Sequence, residues 1–115
     1  METGQGPGEA DGMKARKPQT PETALKRQCS TLLRQLGGYS LPIPGGAYGV
    51  PGAPDRIVFY RGMVYATEFK APGKSLGPKQ KEIRDRIEAT GCKYLVVRDV
   101  RDFVEALDLP VKGLF

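Results

Sequence analysis

Histidine is absent from all 115 residues, and cysteine occurs only twice, at Cys29 and Cys92. The first absence excludes Ser-His-Asp and Cys-His catalysis, histidine-based nucleases and His-containing zinc sites. Two thiols are too few for a zinc site or a disulfide framework. Each lies beside apolar residues, which predicts buried free thiols. No apolar run approaches the roughly 18–20 residues of a membrane span, and the N-terminus lacks the apolar core of a signal peptide. The expectation is a soluble, intracellular protein, acting in the cytoplasm. Its chemistry must come from carboxylates, lysine, hydroxyls, amides or a hard cation.

Lys and Arg outnumber Asp and Glu by 18 to 13, a net charge of +5. That balance suits an anionic partner such as nucleic acid, although many ordinary proteins are as basic. Residues 1–19 hold two methionines and two alanines but no other aliphatic or aromatic side chain. Such a segment cannot bury enough apolar area to offset its ordering entropy, so it reads as a disordered tail ahead of a single domain over 20–115.

Thr20 and Pro21 provide an N-cap and a first helical residue. Leu25, Cys29, Leu32, Leu33 and Leu36 then form one apolar stripe that stops at Gly37-Gly38. Lys26, Arg27 and Arg34 fall mainly off the stripe. Glu22, three residues before Leu25, lies on its buried side, either as a first-turn acid favoured by the helix dipole or as a site residue. Residues 37–54 contain six glycines and four prolines and read as one long loop ending at Asp55.

RIVFY and MVYATEFK, separated by Arg61-Gly62, read as a β-hairpin. A two- or four-residue loop sets Asp55 opposite Glu68, with Lys70 on the same face; a three-residue loop would slip this register. Gly77 and Pro78 begin a second helix, ending at Gly91, with Gln80, Ile83 and Ile87 inward. KYLVV is a buried strand parallel to the one ending at Lys70, because a helical crossover joins them. Asp99 caps a last helix carrying Val100, Phe103, Val104 and Leu107. The closing LDLPVKGLF is apolar enough to pack on the domain or on a partner. The order is α-β-β-α-β-α around a small mixed sheet, an α/β domain.

Two convergent carboxylates repel unless something compensates, and with main-chain carbonyls they make a site for a hard divalent ion. A neighbouring lysine can orient or deprotonate water and neutralise charge on a phosphorane-like transition state. The competing reading is a surface salt bridge between Glu68 and Lys70, with Asp55 as a turn residue. Glu82-Ile83-Arg84 and Asp99-Val100-Arg101 also follow an acid-x-base pattern. Only Glu68-Phe69-Lys70 ends in lysine, lies on a strand and is paired with a strand that starts after Pro-Asp.

Here the sequence resembles the PD-(D/E)XK nucleases, and within them the VRR-NUC domain. The matching pieces are Glu22, Gly52-Ala53-Pro54-Asp55, Glu68-Phe69-Lys70, Ser75-Leu76-Gly77-Pro78-Lys79-Gln80 and IEATGCKYLVVRDV. Together they cover roughly Pro21 to Leu107. Arg56 stands where an apolar residue is more usual, and Lys79 where the family more often has glutamate. The resemblance implies a restriction-endonuclease-like core. In it Asp55, Glu68 and the Phe69 carbonyl would bind the metal, Mg²⁺ or Mn²⁺, and Lys70 would be the catalytic lysine. Glu22 would complete the acidic site through metal or water, and Gln80 would orient Lys70 or contact phosphate.

Lys74, Lys79, Lys81 and Arg84 surround the start of the second helix and form a basic rim suited to a DNA backbone. A solvated helix with internal ion pairs, such as Glu82 with Arg86, accounts for the same charges. The resemblance implies a metal-dependent deoxyribonuclease of the stand-alone phage or bacterial type, cutting branched DNA such as Holliday junctions as a homodimer. A non-catalytic nucleic-acid-binding or assembly module on the same fold is the alternative. Such a module would not need Asp55 and Glu68.

Overall fold

The computed structural model describes residues 20–45 and 49–111. The N-terminal tail expected over 1–19 lies outside them, as does the end of the chain beyond Val111. Helix α1 spans Pro21–Gln35, where the Thr20 hydroxyl accepts the Thr23 amide as N-cap. It ends as the glycine pair predicts. The Gly37 amide bonds the Arg34 carbonyl and the Gly38 amide bonds that of Leu33, a Schellman closure.

Strands β1 (Tyr39–Pro42), β2 (Arg56–Tyr60), β3 (Met63–Phe69) and β4 (Lys93–Val97) form one four-stranded sheet in the order β1-β2-β3-β4. The first two pairings are antiparallel and the last is parallel. Helix α2 (Pro78–Ala89) forms the crossover between the parallel strands β3 and β4, and α3 (Val100–Leu107) follows, capped by Asp99. The α-β-β-α-β-α order around a small mixed sheet therefore stands, with one addition. Tyr39–Pro42, expected to be loop, is an edge strand on β2.

Side chains alternate across the sheet. Val58, Tyr60, Tyr65, Phe69 and Val97 point to one face, where Leu25, Cys29 and Leu33 of α1 and Phe103, Val104 and Leu107 of α3 close the main core. Leu109 and Val111 join that core, so this part of the C-terminal segment packs on its own domain. The opposite face carries Ile57, Ala66, Tyr94 and Val96 under Leu76 and Ile87. That layer is thin: no residue of α2 is fully buried, and Ile83 and Ile87 are half-covered. Tyr39, Leu41 and Phe59 stay exposed, with the Tyr39 and Phe59 rings stacked at 6.2 Å. Cys29 is buried as expected, whereas Cys92, just before β4, is exposed. The apolar run that suggested burial begins only after it, at Tyr94.

The hairpin sets the site. Arg61 and Gly62 both have positive φ, 50° and 77°, the backbone of a two-residue type I′ turn. Tyr60 therefore pairs with Met63, and the register runs to Arg56 opposite Thr67. The next position places Asp55 opposite Glu68.

Leu33 has no exposed surface and sits where α1 meets the sheet. Leu33→Ala should lower the unfolding free energy by about 2–5 kcal/mol in urea titration without changing the far-UV signature of the fold.

Candidate active site

Past Arg56 the β2–β3 ladder cannot continue, because a proline follows in the register. Residues facing each other in an antiparallel pair alternate between hydrogen-bonded and open. A two-residue turn closes on a bonded pair, so Tyr60/Met63, Val58/Tyr65 and Arg56/Thr67 are bonded positions and Asp55/Glu68 is an open one. Side chains at open positions approach most closely. The following bonded position would join Pro54 to Phe69, but proline has no amide hydrogen to give to the Phe69 carbonyl. The Phe69 amide for its part donates to the side chain of Asp55, with Oδ2 accepting it at 2.8 Å. The main-chain carbonyl of Asp55 accepts the Ile43 amide at 2.9 Å, extending the β1 pairing. Asp55 is thus held from both neighbouring strands.

Glu68 is only 4% exposed. Its Oε2 accepts the side-chain amide of Gln80 at 2.9 Å, and the Lys70 ammonium stands 4.0 Å from the same oxygen. Its Oε1 is buried without a hydrogen-bond partner. Burial pushes the Glu68 carboxyl up to about 7, the Asp55 charge adds to the rise, and Lys70 opposes it. Gln80 is fixed at its other end, where Oε1 accepts the Gly77 amide at 2.8 Å and caps α2. The resemblance implied that Gln80 would orient Lys70 or contact phosphate; here its side-chain amide is bonded to Glu68. Lys70 is held through its backbone amide, which bonds the Val97 carbonyl at 3.0 Å.

Glu22 reaches the same end of the sheet from α1, where its Oε2 accepts the Ala71 amide at 3.2 Å, just beyond Lys70. Lys26, one turn further along α1, places its ammonium 3.4 Å from Asp55 Oδ1. Sequence reasoning set Lys26 aside as a residue off the apolar stripe. The signal was present, since the i to i+4 spacing that brings Glu22 to the site brings Lys26 as well. Tyr94 was also missed. Its hydroxyl is buried without a partner, and its pKa is pushed up to about 12 by burial first and then by the charge of Glu68.

Asp55, Glu68, Lys26, Lys79 and Gln80 line a cleft of about 720 Å³ between the end of the sheet, the start of α2 and the loop before β2. That loop presses on α2 at Gly52, whose φ is +81° and where a Cβ would lie 2.6 Å from the Lys79 backbone. Around the rim, Lys79 lies 3.6 Å from Glu82, Arg84 is bound to Asp85 at 3.0 Å, and Arg86 lies 3.8 Å from Glu82. Lys81 is exposed on α2. Lys74 is exposed in the preceding turn, and its carbonyl accepts the Arg98 guanidinium. The solvated-helix pairing and the basic rim coexist on one surface.

Among the described residues, no three His, Cys, Asp or Glu side chains gather as a metal-ligand set. The structure brings together two carboxylates, and Glu22 holds main chain beside them. Two still fit Mg²⁺, which commonly takes one or two carboxylates and keeps several waters. The unpartnered Glu68 Oε1, the Asp55 carboxylate and the Phe69 carbonyl, which Pro54 cannot engage, are hard oxygen donors of the right kind.

A solved structure described as a VRR_NUC domain matches this chain with a TM-score of 0.68, at 21% identity, over 81% of this chain and all of that one. The fold is that of a VRR_NUC domain. No family model matches the sequence, and no curated protein matches it. At that identity the likeness to the VRR_NUC domain is one of architecture.

The raised Glu68 pKa carries a sign. A carboxyl that holds its proton more tightly folded than unfolded stabilises the protein fully below its ordinary value of 4.5. That contribution is lost as pH rises towards 7. Thermal melting of the protein in EDTA should therefore show Tm falling across this interval. Glu68→Gln should flatten that part of the profile, and an unchanged slope would contradict the assignment.

Proposed function

We propose that this chain is a divalent-metal-dependent endonuclease that hydrolyses DNA phosphodiester bonds. The observation that carries this reading is the open pair Asp55/Glu68 on a VRR_NUC fold, with a buried carboxylate oxygen left unpartnered and a lysine just past the end of the same strand. An acidic pair raises the energy of the folded state unless a cation compensates it, so a fold that holds one rigidly in a cleft is built for a cation.

Asp55 and Glu68, with the carbonyl of Phe69, would hold Mg²⁺ or Mn²⁺, and Glu22 would contribute through a water. The ion would supply a Lewis acid for the phosphoryl oxygen and lower the pKa of a water. The chain's own residues do the rest. Gln80 keeps the Glu68 carboxylate from rotating, and the bond from Phe69 N–H does the same for Asp55. Lys70, 18% exposed at its side chain, orients the attacking water and offsets charge on the phosphorane. Lys74, Lys79, Lys81 and Arg84 grip phosphates without reading bases, at the N-terminus of α2 where the helix field favours anions.

Within this reading, branched DNA such as Holliday junctions is the proposed substrate, and a homodimer would place two such sites on opposing strands. The described part of the C-terminal segment is committed to its own core, and the exposed apolar side chains Tyr39, Leu41, Phe59 and Val64 of the sheet would be available to a second copy. No helix among the described residues is long and apolar enough to cross a membrane. Action in the cytoplasm, including a host cytoplasm if the enzyme is phage-encoded, belongs to the same proposal.

Purified protein incubated with four-way, flap and linear DNA in Mg²⁺, Mn²⁺ or EDTA should cleave only with metal, and best on branched DNA. Asp55→Asn and Lys70→Ala should each lower cleavage by at least about a hundredfold, the scale of a lost general acid–base or charge-stabilising group. Asp55→Asn should leave DNA binding intact. Binding without cleavage in either metal would favour a non-catalytic module.

A further inference from the structure

Both oxygens of Asp55 are occupied. Oδ2 accepts the Phe69 amide at 2.8 Å, a bond that stands in for a rung of the sheet. Oδ1 carries the Lys26 ammonium at 3.4 Å, and both residues line the cleft. Glu68 differs, because Gln80 and Lys70 share Oε2 while Oε1 has no partner. A cation entering between the two acids finds Glu68 Oε1 open and Asp55 Oδ1 covered by a lysine.

We infer that Lys26 is a resident counter-ion that competes with the divalent cation for Asp55 and leaves Oδ1 when the metal enters. The inference rests on the metal-dependent reading above and extends it to a residue outside the acid-x-lysine motif. Lys26 is suited to exchange. It sits on a long, flexible stem at the surface of α1, its side chain is 30% exposed, and its ion pair is half-solvated and correspondingly weak. Once displaced, the ammonium has the same cleft to turn into, lined by Lys79 and Gln80.

The test is direct binding of Mn²⁺ to the full chain without DNA, by calorimetry, for wild type, Lys26→Met and Lys26→Arg. Methionine keeps the stem and favours helix, so the variant should fold. Removing the competing charge should tighten Mn²⁺ binding by roughly three- to tenfold, the scale of a half-exposed ion pair. Lys26→Arg, which keeps the charge, should bind close to wild type. The Tm gain at saturating Mn²⁺ should also be larger for Lys26→Met, because its metal-free state has lost the ion pair.

If wild type binds Mn²⁺ and Lys26→Met binds no more tightly, the exchange is wrong while the metal site stands. Binding by Lys26→Met alone would be the exchange in its strongest form. If neither protein binds Mn²⁺, the metal-dependent reading fails and the exchange fails with it.

Discussion

One hydrogen bond, from the Phe69 amide to the carboxylate of Asp55, organises this end of the molecule. It lies where the ladder ends, since Pro54, next in register, has no amide hydrogen to give the Phe69 carbonyl. The ladder stops, the Phe69 amide takes a side chain in place of a carbonyl, and an aspartate becomes part of the β structure. The same break leaves the Phe69 carbonyl without its ladder donor. A Pro-Asp pair at the start of one strand thus does two things at once. It pins one acid, and it spares a main-chain oxygen beside the next.

The acid pair is stable only because its surroundings distribute the charge. Lys26 approaches Asp55, Lys70 stands near Glu68, and the Gln80 amide neutralises nothing but fixes direction. Gln80 also caps α2 through the Gly77 amide, so the helix start and the carboxylate are registered by one side chain. Electrostatic strain remains, seen in the raised pKa of Glu68 and the unpartnered oxygen it keeps buried. Rigid donors, residual negative charge and a basic margin together suit a hard cation beside a phosphate.

The register that brings Asp55 to Glu68 could be read from sequence, because a two-residue loop and period-two alternation leave little freedom. Helix ends were readable for a similar reason: Thr20, Asp99 and the Gly37-Gly38 pair have specific hydrogen-bonding jobs. Strand β1 was hidden because YSLP is short, exposed and set among glycine and proline, and its pairing comes from the β2 edge rather than its own pattern. Exposure of Cys92 depends on where β4 begins, a boundary that pattern alone fixes poorly. Lys26 escaped because its position was judged against the apolar core, whereas its partner lies at the sheet end. The target of Gln80 depended on side-chain direction at a helix start, which spacing does not specify.

The claim on which everything above turns is that Asp55 and Glu68 form one cation site. Anomalous diffraction from crystals grown with Mn²⁺ tests it most directly. A single peak within about 2.5 Å of Asp55 Oδ1 and Glu68 Oε1, with the Phe69 carbonyl as a third ligand, is the predicted result. Mn²⁺ bound elsewhere, or none at this pair while Asp55 still holds the Phe69 amide, would contradict it.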